Sequence, residues 1–208
     1  MPISHKHKII FIHIPKCGGS SIDQALGVHG FNNRGNNKYS PDILFGVSDS
    51  MALQHLTATE IRQKVGEKIF GSYFKFAFVR NPYDKLVSEY FWQSKRITGD
   101  ISFEQFVTDY VVPRIKKSKK TDLFDDHYTA QYKFITDDNG KNIIDFVGRF
   151  ENMATDFDQV CKTAGIKAKL RHLNQTKHKP YQQYYTDQTK DLVNQLYQQD
   201  LEFFGYQF

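Results

Sequence analysis

A lysine, two glycines and two hydroxyls stand together at Lys16-Cys17-Gly18-Gly19-Ser20-Ser21. They follow an apolar, β-branched run, Ile9 to Ile14, short enough to be a buried strand. Pro15 ends that strand because it has no N–H to give to a ladder. Gly18 and Gly19 can take backbone angles closed to other residues and let a ligand approach the main chain, and Ser20 to Leu26 predicts a first helix. Strand, glycine turn and helix, with Lys16 in the turn, offer backbone N–H groups and the positive end of a helix dipole to a phosphate-like anion. The plainer alternative is an ordinary βα turn with an exposed lysine. The Walker pattern G-x-x-x-x-G-K-[ST] does not occur. Cys17 lies among glycines with no partner base close in sequence, so it reads as a passive loop residue rather than a nucleophile.

A second cation ends a second strand. Tyr73 to Val79 is aromatic and alternating, reads as a central strand, and stops at Arg80-Asn81-Pro82. Pro82 suits the first turn of a helix, whose apolar stripe of Leu86, Val87, Tyr90 and Phe91 runs towards Arg96 and which also carries Ser88. A guanidinium can grip a phosphate with a forked pair of charge-assisted hydrogen bonds. The third candidate is His55. It precedes Thr57-Ala58-Thr59-Glu60, a capping box that opens a helix with Ile61, Val65 and Ile69 behind it. Of the other histidines, His5 and His7 lie in a polar terminus, His13 inside the first strand as a core or supporting residue, and His29 at the start of a Gly/Asn loop. His127, His172 and His178 fall in segments with no clear periodicity.

Further along, Val28 to Ser50 is a Gly/Asn-rich loop ending in a short strand at Ile43 to Val47. Ser102 caps a helix that Pro113 closes, and Phe134 to Val147 predicts a hairpin across Asn139-Gly140. Asp137, Asp138 and Asn139 lack the spacing and terminal glutamate of a calcium loop. Asn152 to Ala164 is an amphipathic helix closed by Gly165, and Thr186 caps a last helix followed by an aromatic tail that should dock on the body. Two strands that each lead through a loop into a helix predict a single α/β domain, residues 1–208, with a mainly parallel sheet flanked by helices. Ligands of such sheets collect beyond the carboxyl ends of the strands, where Lys16 and Arg80 both fall.

Composition narrows the class. The chain has 208 residues and a net charge of +5, which suits an anionic ligand or acceptor. Two cysteines, Cys17 and Cys161, fit neither a metal spacing nor a disulfide framework and predict reduced thiols in a cytoplasmic protein. There is no signal-peptide core and no apolar run long enough for a membrane span. The dense basic run Arg114 to Lys120 is one patch and matches no nucleic-acid motif, so no nucleic-acid partner is expected.

Two stretches in combination identify a family. Phe11 to Ile22 (FIHIPKCGGSSI) and Phe76 to Phe91 (FAFVRNPYDKLVSEYF), about 60 residues apart, resemble the two donor-binding motifs of sulfotransferases that use 3′-phosphoadenosine 5′-phosphosulfate. The likeness is to the carbohydrate branch, such as heparan sulfate 2-O- and chondroitin 4-O-sulfotransferases and their bacterial relatives. It extends to Asp145–Phe157 and His172–Tyr185 and so covers nearly the whole chain. The resemblance implies a P-loop-like sulfotransferase fold, with Lys16 and the backbone of Cys17, Gly18, Gly19, Ser20 and Ser21 on the 5′-phosphosulfate. It places Arg80 and Ser88 on the 3′-phosphate, and the basic loop around Lys177 and Lys179 over the donor. Gln54 to Ile61 resembles the segment where these enzymes carry a catalytic histidine, which makes His55 the expected base and Lys16 its catalytic counterpart on the leaving side. Lys85 departs from the arginine of many relatives but keeps the charge. The implied reaction is in-line sulfuryl transfer to an acceptor hydroxyl, expected on a glycan, with no metal. The competing class, a kinase-like phosphotransferase, needs a Walker lysine-serine pair and a strand-borne magnesium aspartate that cannot be identified here.

Overall fold

A computed structural model describes residues 3–27, 47–48, 51–52, 55–97, 99–116, 124–170 and 178–208. Lys177, His29, His172, the end of the basic run at Lys117 to Lys120 and most of the Gly/Asn loop lie outside the described residues. In chain order the elements are β1 (Ile3–Ser4), β2 (Ile9–Ile12), α1 (Gly19–Ala25), β3 (Val47–Ser48), β4 (Met51–Ala52), α2 (Ala58–Val65), α3 (Glu67–Ser72) and β5 (Phe74–Val79). There follow α4 (Pro82–Gln93), α5 (Phe103–Gln105), α6 (Val112–Lys116), α7 (Tyr132–Ile135), β6 (Phe146–Arg149), α8 (Met153–Ala164), α9 (Asp187–Leu196) and α10 (Gln198–Phe204). They fall into two compact units, Met1–Val79 with Lys133–Leu173, and Arg80–Tyr132 with Asn174–Phe208.

The first unit is built on a sheet of order β1-β2-β5-β6. β2 pairs β5 in parallel with Ile12 opposite Ala77, and β5 pairs β6 in parallel with Val79 opposite Arg149. Continuous apolar sequence is what strands covered on both faces require, and all four residues of β2 are buried. The rings of Phe11 and Phe76 stack across the two strands at 5.1 Å. Ile3–Ser4, read from sequence as part of a polar lead, forms an antiparallel edge strand on Ile9 and Ile10.

The expected hairpin over Phe134 to Val147 is replaced by a different pairing. Only the Thr136–Asn142 bridge and the Asp137 turn remain of it, the Asp137 carboxylate accepting the N–H groups of Asn139 and Lys141. Phe146 and Val147 instead extend the parallel ladder beside Phe76 and Ala77. An ion pair sets that register. Asp145, just before β6, accepts the Lys75 backbone N–H at 2.7 Å and lies 2.8 Å from Lys75 Nζ. The same contacts explain how a lysine 7% exposed is tolerated in β5.

The second unit is helical among its described residues. Its core joins Tyr83, Leu86 and Val87 of α4 to Phe103, Phe106 and Val107, to Tyr128, and to Val193, Tyr197 and Leu201 of the last two helices. Capping boxes open α5 at Ser102 and α9 at Thr186, as their sequences predict. Pro113 does not end its helix. Upstream the chain widens into a π-helical turn, Phe106–Val111, in which the Val112 N–H bonds Val107 five residues back, and α6 then runs through the proline to Lys116. A wide turn suits a residue that has no N–H to donate and crowds the preceding carbonyl. The aromatic tail docks in part: Phe204 is buried and Phe208 meets Tyr83 edge-on at 4.8 Å, while Phe203 keeps 43% exposure.

Candidate active site

The turn after β2 is built from unusual backbone. Lys16 has φ 66°, in the left-handed region that a side chain disfavours, and Gly18 follows at φ 82°. A Cβ on Gly18 would also lie 2.9 Å from Met153 Sδ at the start of α8. Gly19 is fixed by a different neighbour: a Cβ there would run into His13 Nε2. Among the described residues the N–H groups of Gly18, Gly19 and Ser20 make no hydrogen bond, whereas the Ser21 N–H returns to Gly18. Since α1 has only seven residues, an anion here would rely on these N–H groups and Lys16 rather than on the field of the helix. Cys17 is buried and its thiol donates to Pro15 O, in keeping with a passive role.

The clash at Gly19 gives a first prediction. Gly19→Ala is expected to destabilise the protein by about 1–3 kcal/mol through overpacking against the imidazole. In thermal melts much of that loss should return when His13→Ala is added, because the ring is what a new Cβ would strike. Simple addition of the two losses would refute the contact.

His13 also sits beneath the candidate base. Its ring is 4% exposed, stacks on Phe11, and lies with Nδ1 3.2 Å from Asp23 Oδ2. His55 bonds the His13 backbone carbonyl through Nδ1 at 2.9 Å and meets the His13 ring edge-on at 4.9 Å. A carbonyl can only accept, so Nδ1 of His55 carries the proton and Nε2 is the basic nitrogen of the neutral ring. Two residues on, the Thr57–Glu60 capping box fixes the start of α2, and Thr59 ties that helix to Thr136 O.

Arg80 opens the second unit. Its backbone is held by Gln131, whose side-chain amide accepts the Arg80 N–H at 2.9 Å and donates to the Arg80 carbonyl at 2.8 Å. The amide replaces a neighbouring strand where Pro82 ends the ladder. Gln131 is fully buried and donates its own N–H to Asp200. Burial pushes the Asp200 carboxyl above its ordinary range, against the N–H bonds from Gln131 and Tyr132 and the nearby Lys85. Asn81 caps α4 on Tyr83 N–H and donates to Gln207 O. The Arg80 guanidinium is 2.7 Å from Asp84 Oδ2 through both Nε and Nη2. One turn on, Ser88 is 5% exposed, and its hydroxyl has no hydrogen bond among the described residues. Buried helix serines ordinarily bond a carbonyl one turn back, so this hydroxyl is available to a ligand. Lys85, 1% exposed, donates to His127 O at 2.5 Å, and His127 pairs with Glu89 at 2.9 Å, so both belong to the packing of the unit.

Lys16, Cys17 to Ser21 and His55 therefore lie in the first unit, and Arg80 with Ser88 in the second. Asp84, Gln131 and His13 were not singled out as site residues from sequence. Only Asp84 had a local signal, its i,i+4 spacing from Arg80. Among the described residues no cluster of His, Cys, Asp or Glu is arranged to hold a metal ion, and no helix is long and apolar enough to cross a membrane.

A parallel α/β sheet with cations placed after two of its strands is the frame of a sulfotransferase. A profile of the Sulfotransferase family matches residues 1–207, and the chain belongs to that family. Among solved structures, mouse sulfotransferase SULT7A1 complexed with PAP shares the fold at a TM-score of 0.57 and 14% identity, over 96% of this chain and 86% of that one. Carbohydrate sulfotransferase 10 of Danio rerio is 28% identical over 140 residues, 64% of this chain and 34% of that protein. Carbohydrate sulfotransferase 11 of Rattus norvegicus is 23% identical over 203 residues, 81% of this chain and 54% of that protein. The matches thus span between a third and about half of these two relatives. An uncharacterised protein of Archaeoglobus fulgidus is 34% identical over 118 residues, 55% of this chain and 87% of its own length.

Proposed function

We propose that the chain, acting as one sulfotransferase domain, moves the sulfuryl group of 3′-phosphoadenosine 5′-phosphosulfate to a carbohydrate hydroxyl. The observation that supports this most is the Lys16 turn: a cation in left-handed backbone followed by three N–H groups without hydrogen-bond partners among the described residues, in a chain of this family. The donor supplies the sulfuryl group and a phosphate to leave from it. Lys16 stabilises the charge that builds on the bridging oxygen as the sulfur–oxygen bond breaks. His55 Nε2, made basic by the Nδ1 bond to His13 O, accepts the proton of the acceptor hydroxyl as its oxygen bonds to sulfur. Arg80 and Ser88 hold the 3′-phosphate, and Asp84 aims the guanidinium. The carbohydrate acceptor is supported by the named relatives, both carbohydrate sulfotransferases, and by the basic balance of the chain.

Adenosine 3′,5′-bisphosphate is expected to raise the melting temperature without any metal, because a ligand bound only by the folded state stabilises it by mass action. ATP should do much less. Equal shifts from both nucleotides, or a magnesium requirement, would favour a kinase-like phosphotransferase instead. Transfer of labelled sulfate from the donor to a panel of glycans, small phenols and tyrosine peptides tests the acceptor class, and sulfation confined to the non-glycan members would overturn the carbohydrate assignment.

A further inference from the structure

One titratable side chain packed on α4 has no part in the roles above. His178 stacks on Phe91 with rings parallel within 4° at 5.8 Å, and meets Tyr184 edge-on. Its Nδ1 bonds Lys179 O at 2.7 Å, and its Nε2 stands 3.8 Å from Asp84 Oδ1. Asp84, Ser88 and Phe91 are spaced four and three residues apart, and so form one stripe of the helix. A ring that touches both Asp84 and Phe91 lies over the turn that carries Ser88. The His178 side chain is 11% exposed, so this edge is largely withdrawn from water.

We propose that His178 is a further ligand of the 3′-phosphate, with Nε2–H directed at the anion that Arg80 and Ser88 hold. The proposal rests on reading this stripe as the 3′-phosphate half of the donor site. Lys179 O fixes Nδ1 as a donor, and a second proton on Nε2 makes the ring a cation beside the carboxylate of Asp84. Among the described residues Asp84 is the charged side chain that contacts the ring, with Phe91 and Tyr184 on its other sides. A phosphate brought to Arg80 adds negative charge to the same place. An Nε2–H of the doubly protonated ring gives that anion a charge-assisted hydrogen bond. The residue would therefore select nucleotides that carry a 3′-phosphate over those that do not.

The test measures dissociation constants of adenosine 3′,5′-bisphosphate and adenosine 5′-phosphate for the wild type, His178→Phe and His178→Gln. His178→Phe keeps the stack on Phe91 and removes the donor. It is expected to weaken the bisphosphate about tenfold or more while leaving the 5′-phosphate nearly unchanged. His178→Gln, which keeps a neutral donor, should fall between. Equal weakening of both ligands would show a packing role and overturn the proposal, as would unchanged affinity for the bisphosphate. A wild type that does not prefer the bisphosphate would overturn the donor reading itself, and the His178 assignment with it.

Discussion

His55→Ala is expected to lose about 10²-fold or more in turnover while binding adenosine 3′,5′-bisphosphate nearly as well as the wild type. The split follows from what holds the imidazole. Its Nδ1 is committed to the His13 carbonyl, so the ring is oriented by main chain rather than by the nucleotide. Removing it takes away the proposed proton acceptor and leaves the Lys16 turn and the Arg80 stripe in place. Single-turnover kinetics at saturating donor, set beside bisphosphate titrations, check both halves of the expectation. Near-wild-type turnover would exclude His55 as the base. The neighbouring His13 could not simply replace it, since that ring is 4% exposed with Nδ1 against Asp23 and Nε2 against Gly19.

Lys16→Ala should depress turnover even when donor saturates, because in the proposed reaction its charge matters most as the bridging oxygen becomes negative. Arg80→Ala, the contrast, should act chiefly on donor affinity, by about tenfold or more for the loss of a charge-assisted pair. The backbone adds a second test. Lys16 is held at φ 66°, a conformation in which glycine carries no penalty. Lys16→Gly is therefore expected to be as inactive as Lys16→Ala yet more stable than the wild type, by about 1 kcal/mol. A gain in stability with loss of turnover would mark strain kept for function. If Lys16→Ala changed only the apparent donor affinity, the catalytic role would be wrong.

What could be read from the chain beforehand was whatever local rules decide. The Thr57, Ser102 and Thr186 caps, the end of α8 at Gly165 and the two strand-to-loop junctions depend on neighbours within four residues, and the structure keeps them. The hairpin over Phe134 to Val147 failed for the opposite reason. Its turn residues are sound, but the partner of Phe146 is Phe76, joined to it by a contact that no local pattern encodes. Pro113 misled because a wider turn upstream relieved the clash that normally ends a helix. At the candidate site, the lysine, the arginine and their loops were legible as residue types at strand ends. The partners that aim them were not: Gln131 meets Arg80 from 51 positions away, and His55 reaches back 42 to His13.

The parallel pairing of β5 with β6 also bears on how the chain is made. Synthesis at about 5–20 residues per second delivers β5 several seconds before β6, since residues 80–132 and the Asp137 turn are translated in between. For that interval FKFAFV is an apolar strand with one side unpaired, the kind of edge on which nascent chains stick to one another. Lys75 sits within it and has no Asp145 to meet until later. Before its ion pair forms, the same lysine is a gatekeeper charge that opposes association of the exposed strand.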